Sequence, residues 1–121
     1  MCRAILIFLF GIGFGSGIYG QSDPEDLRKA IGYYQQLKFE ESIALFDQLV
    51  DENPGDFNMQ GRRGYVIAEF VKAMDGGLVA AKTRDEIKLL VEKGLADLRA
   101  GLEKEPNNKD NQAALRFLES R

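Results

Sequence analysis

The chain has 121 residues, with 16 basic and 19 acidic side chains, one Cys, no His and no Trp. That is the length of one small domain. Without imidazole there is no Ser-His-Asp or Cys-His machinery and no His-ligated metal. A lone Cys excludes an intrachain disulfide and a Cys-cluster metal site, and a formal net charge of −3 argues against general nucleic-acid binding. No cofactor and no metal are expected.

Residues 1–20 read as an address. Arg3 is their only charge, and it is followed by Ala4-Ile5-Leu6-Ile7-Phe8-Leu9-Phe10 and then by Gly11, Gly13, Gly15 and Gly17 at alternate positions. A basic start, an apolar run and small residues before a polar stretch fit a secretory signal peptide. Ala4 to Tyr19 spans 16 residues, whereas a membrane-crossing helix needs ~20. Cleavage before Gln21 is the preferred reading; an uncleaved anchor and a buried core helix are the alternatives. Cys2 precedes the apolar run, which excludes a lipobox. The Gly11–Gly17 stretch lies inside the leader, without the strand and helix that a phosphate-binding loop requires. With the leader removed, residues 21–121 lose Arg3 and Cys2 and carry a net charge of −4. The location predicted is secreted or periplasmic, with membrane contact only through an uncleaved leader.

The rest reads as helices in pairs. Asp23-Pro24-Glu25-Asp26 is a helix start, and Leu27, Ile31, Tyr34 and Leu37 recur at helical spacing with Ala30 beside them. Lys38 breaks the pattern. Phe39, Ile43, Phe46 and Val50 restart it, and Pro54-Gly55 stops it. Asp56 is the N-cap of a third helix running to about Met74. This helix has two apolar sides: Phe57, Gly61, Gly64, Ala68 and Val71 on one, Val66, Ile67, Phe70 and Met74 on the other. Two interior glycines cost about 1 kcal/mol each relative to Ala, so close approach of another helix is expected to compensate. A helix apolar on two sides is expected to lie between neighbours. Asp75-Gly76-Gly77 ends it, and Leu78–Ala81 is a loop or an extra turn. Thr83-Arg84-Asp85-Glu86 is a capping box for a fourth helix carrying Ile87, Val91, Leu95, Leu98 and Leu102. Pro106 closes that helix, Asn107-Asn108 turn the chain, and Ala113, Ala114, Phe117 and Leu118 make a last short one. No period-2 run with strand composition occurs, so an all-α fold is expected.

Two segments, 39–54 and 91–106, can be laid over each other, matching Ser42 with Gly94, Ile43 with Leu95, Phe46 with Leu98, Val50 with Leu102 and Pro54 with Pro106. Together with Ala30, Tyr33 and Tyr34 before the first, and Gly64 and Ala68 before the second, this pattern resembles a tetratricopeptide repeat, a helix-turn-helix unit of ~34 residues. The resemblance implies a short α-solenoid of antiparallel helix pairs, about four helices plus a capping helix. Residues 23–56 form the first repeat. Residues 57–108 form a second, degenerate one with an insertion near 75–83, and 109–121 form the cap. The signature Trp is absent, and Leu49 stands where the family usually has Ala.

The resemblance further implies a groove, lined by the first helix of each pair, that binds a protein or peptide. Its positions map onto Ile31, Tyr34, Gln35, Asn58, Arg62, Tyr65 and Glu69. Asn58, Arg62, Tyr65 and Glu69 also fall on one helical face by spacing, and Tyr and Arg are types favoured at binding hot spots. The structural alternative packs Tyr34 and Tyr65 between helices and pairs Arg62 with Glu69 or solvent. Arg62 and Arg63 point to different sides of a helix and read as a solvated pair. Asp51–Asp56 has a passing likeness to a calcium loop, but Pro54 and the missing terminal Glu make it an inter-helix turn. Glu40 and Glu41 face different sides and form no carboxylate pair. With no nucleophile elbow, acid/base pair or metal set, the chain is read as a non-enzyme. The second functional reading is a structural or chaperone-like subunit that docks on a larger envelope assembly through an exposed Val66-Ile67-Phe70-Met74 side.

Overall fold

A computed structural model describes residues 24–121; the leader, its cleavage before Gln21 and the Gly11–Gly17 stretch lie outside the described residues. Five helices follow one another: α1 (Pro24–Gln35), α2 (Phe39–Glu52), α3 (Phe57–Asp75), α4 (Arg84–Lys104) and α5 (Lys109–Glu119). No strand occurs among the described residues. The expected starts have local causes. Pro24 opens α1, with Glu25 and Asp26 in the first turn, where the helix dipole favours acids. The Asp56 carboxylate accepts from Met59 N–H at 3.1 Å. The Thr83 hydroxyl accepts from Glu86 N–H at 3.2 Å while the Glu86 carboxylate accepts from Thr83 N–H at 3.0 Å, completing the capping box. Asn108 caps α5 by accepting from Asn111 N–H at 3.1 Å. Residues 78–83 form no further helical turn.

The ends of α1 and α3 are built alike. Lys38 N–H donates to Tyr33 O at 2.8 Å and Leu37 N–H to Tyr34 O at 3.0 Å. Leu78 N–H donates to Ala73 O at 2.9 Å and Gly77 N–H to Met74 O at 3.2 Å. Each pair of bonds is a Schellman motif, whose C′ residue must be left-handed. Gly77 takes that conformation freely at φ 77°; at the other turn it is Leu37 that holds φ 63°.

Packing follows the two-sided pattern of α3, which lies against α2, α4 and α5. Phe46, Leu49, Ile67, Val71, Leu98 and Leu118 are the largest apolar side chains fully enclosed. Phe39 of α2 stacks on Phe70 of α3, with centroids 5.1 Å apart. Ser42 Oγ donates to Ala30 O at 2.7 Å and ties α2 to α1. Val66, Ile67, Phe70 and Met74 are all buried within the chain, as expected of a helix lying between neighbours; the exposed side that the alternative docking reading requires is not there. Phe57 departs from its expected side; as the first residue of α3 it sits beyond the helix crossing and is 41% exposed.

The glycines do what their cost requires. A Cβ on Gly101 would lie 2.7 Å from Gly61 Cα, and one on Gly64 would lie 3.0 Å from Gly94 O. Backbone therefore passes directly against backbone where α3 crosses α4. The amide of Asn111 closes the same place, since a Cβ on Gly61 would lie 2.9 Å from its Nδ2. The crossing thus also sets how closely the start of α5 approaches α3.

Candidate functional site

Arg62 and Arg63 separate as helix geometry demands, and their fates differ. Arg63 turns into the α2–α3–α4 junction. Its Nε and Nη2 donate to the two oxygens of Asp97 at 2.7 and 2.8 Å, a bidentate pair, and Nη1 donates to Asp47 at 2.9 Å. Lys93 Nζ donates to the same Asp47 oxygen at 2.7 Å. The Arg63 side chain is only 12% exposed and that of Asp97 3%. Pairing with Asp97 outweighs burial and holds the Arg63 guanidinium above its ordinary pKa. This corrects the reading of a solvated Arg pair: Arg63 is a structural tie. The sequence signal was Asp97, placed between Gly94 and Gly101 on the small-residue face of α4, where a carboxylate needs a cation across the crossing.

Arg62 points to a different side of α3 and lines an open hollow of about 370 Å³. Ile31 and Tyr34 of α1, with Asn58, Arg62 and Tyr65 of α3, line it on two sides. Phe46 and Val66 supply apolar lining from the core. The α4–α5 turn, with Glu105 and Asn108, and the first turn of α5, with Asp110 and Asn111, line the third side. Five of the groove positions expected from the sequence therefore meet at one place. The contribution of the α4–α5 turn was missed, because its residues are remote in sequence and carry only the ordinary signature of a turn and helix start.

Gln35 and Glu69 do not line this hollow. They line its neighbour, of about 320 Å³, together with Tyr34, Leu37, Phe39 and Leu78. Glu69 pairs with Lys72 at 3.1 Å, so the expected Arg62–Glu69 alternative does not form. Arg62 has no ion-pair partner among the described residues. Tyr34 belongs to both hollows and meets Phe39 and Tyr65 edge to face, with centroids 6.0 and 6.1 Å away. Burial, then the Tyr65 side chain, then the charges of Glu69 and Asp110 push the Tyr34 phenol well above its ordinary range. Both tyrosines thus pack between helices and still present surface to the face.

Among the described residues no group of His, Cys, Asp and Glu is arranged to hold a metal ion, and no helix is long and apolar enough to cross a membrane. The arrangement can supply donors (Arg62, Asn58), acceptors (Glu105, Asp110) and aromatic edges to an extended ligand. Comparison with protein-family models, with curated proteins and with solved structures found no match.

Proposed function

We propose that this chain is an exported protein–protein interaction module that binds a partner protein or peptide on the face shared by α1, α3 and the start of α5. One observation carries the reading. Tyr34, Asn58, Arg62 and Tyr65, brought together from two helices, border a single open hollow, and the guanidinium among them has no ionic partner there. An exposed Arg beside two half-buried tyrosines, with no ion-pair partner among the described residues, has the residue types of a binding hot spot.

Support for a tetratricopeptide-like arrangement comes from the order of packing. Each helix lies on the next, and α3 also lies on α5, as first helices of successive units would; α1 meets α3 at Tyr34 on Tyr65 rather than along a packed helix face. The segment from Gly76 to Thr83, together with an α3 of 19 and an α4 of 21 residues, takes up the length beyond a regular repeat. The composition of residues 1–20 supports export.

The test is capture of the partner by crosslinking from the secreted or envelope fraction, followed by affinity measurement with Arg62→Ala and Tyr65→Ala. Each is expected to weaken binding by about ten-fold or more, the scale of an interface hot spot. Unchanged affinity in both variants would remove the groove assignment. Sequencing the N-terminus of the exported protein tests the leader: Gln21 at the start supports it, and an intact Met1 in the membrane fraction opposes it.

A further inference from the structure

The second hollow carries an anomaly that packing does not explain. Leu37 is 46% exposed and left-handed, at a turn position where glycine or asparagine is favoured. A glycine would relieve the backbone, and a polar side chain would suit the solvent; leucine does neither. The matching turn at the end of α3 uses Gly77 and places Leu78, 70% exposed, after it. The two turns bring Leu37 and Leu78 to the same hollow, beside Tyr34. The fold thus holds two leucines in water next to the proposed groove.

The first hollow has a complementary feature. Glu105 and Asp110 line it, and neither has an ion-pair partner among the described residues. Against these two carboxylates stands one guanidinium, that of Arg62. The Tyr34 phenol is raised first by burial and then by Tyr65, and the charges of Glu69 and Asp110 add in the same direction.

Resting on the groove reading above, we propose that the occupant is an extended peptide segment carrying a basic side chain and, a few residues away, an apolar one. The basic group sits between Glu105 and Asp110, and the apolar side chain covers the Leu37–Leu78 shelf. Tyr34, shared by both hollows, lies under the peptide between them. Arg62 and Asn58 donate to its backbone carbonyls.

The experiment uses the full chain and fluorescein-labelled synthetic peptides read by anisotropy. One set carries Arg or Lys and Leu or Phe at varied spacing, a second replaces the basic residue with Glu, and a third replaces the apolar residue with Ser. The basic–apolar set is expected to bind about ten-fold more tightly than either of the others. The double variant Glu105→Gln/Asp110→Asn should reduce the preference for basic over acidic peptides by about five-fold. Leu37→Gly should weaken basic–apolar peptides by about five-fold while raising the melting temperature, a pairing that a purely structural Leu37 would not give. Acidic peptides that bind as well as or better than basic ones would overturn the inference. So would a Leu37→Gly variant with unchanged affinity. If acidic peptides bind and Tyr65→Ala abolishes that binding, the inference fails and the groove stands. If no set binds, the inference fails, and the groove is judged by its captured partner.

Discussion

At the crossing of α3 with α4, Arg63 closes on Asp97 and glycine faces glycine. One residue earlier on the same helix, Arg62 lines an open hollow with no ionic partner among the described residues. The two regions start from similar irregularities: charges near apolar surface, and residues of poor local propensity. At the crossing each irregularity is answered within the chain. Asp97 meets Arg63, and the cost of Gly61, Gly64, Gly94 and Gly101 in helices is offset by close packing, backbone on backbone at Gly61 and Gly101 and against side chains such as Leu98, Ile67 and Leu118 at Gly64 and Gly94. On the α1–α3–α5 face they stay unanswered: Arg62, Glu105 and Asp110 are exposed and have no ion-pair partner among the described residues, and Leu37 keeps a conformation suited to glycine. On the function proposed above, this unanswered irregularity marks the surface that meets the partner.

Substitutions should therefore divide into two classes, and the largest effects belong to the crossing. Arg63→Ala leaves the buried Asp97 carboxylate uncompensated and is expected to cost about 3–5 kcal/mol in chemical denaturation. A loss below ~1 kcal/mol would mean that water reaches Asp97 and that the crossing is not closed. Gly101→Ala inserts a methyl 2.7 Å from Gly61 Cα and should cost about 1–3 kcal/mol. On the open face the sign reverses. Leu37→Gly removes the left-handed penalty and should stabilise by up to ~1 kcal/mol, less the added freedom of the unfolded chain. Gly77→Leu at the equivalent turn should destabilise by a similar amount, so the pair measures the two turns against each other. Arg62→Ala should leave stability within about 0.5 kcal/mol while weakening partner binding.

The smallest expected effect is electrostatic. The Tyr34 phenol is raised above its ordinary value of 10.0. The fold therefore prefers the neutral phenol: this contribution is intact below pH ~10 and is lost as pH rises through the folded pKa. Asp110→Asn removes one raising charge, so ultraviolet titration should show Tyr34 ionising at lower pH than in the wild type. No movement would place Asp110 too far from the face to shape its field.

Much of this division was legible in the sequence, because its causes are local. Pro24, Asp56, the Thr83–Glu86 pair and Pro106 mark helix boundaries through backbone chemistry that needs no tertiary contact. The interior glycines of α3 announced a close helix neighbour by their cost alone. Helical spacing also put Asn58, Arg62 and Tyr65 on one face. The rest depended on distance across the fold. Nothing near Arg63 in sequence identifies Asp97, 34 residues away, as its partner. Phe57 fits the periodic stripe and still falls outside the crossing. Leu37 matched the apolar spacing of α1, and only the turn bonds show that it sits past the helix end in a left-handed conformation. Glu105 and Asp110 read as a turn and a helix start until α5 folds back toward α3.

The central claim is that the α1–α3–α5 face is where a partner sits, and hydrogen exchange on the crosslinked partner complex tests it most directly. The account predicts added protection in α1, in the first half of α3 and around the α4–α5 turn, with the α2 and mid-α4 amides unchanged. Protection confined to α2 and the exposed side of α4, around Leu89, would contradict it.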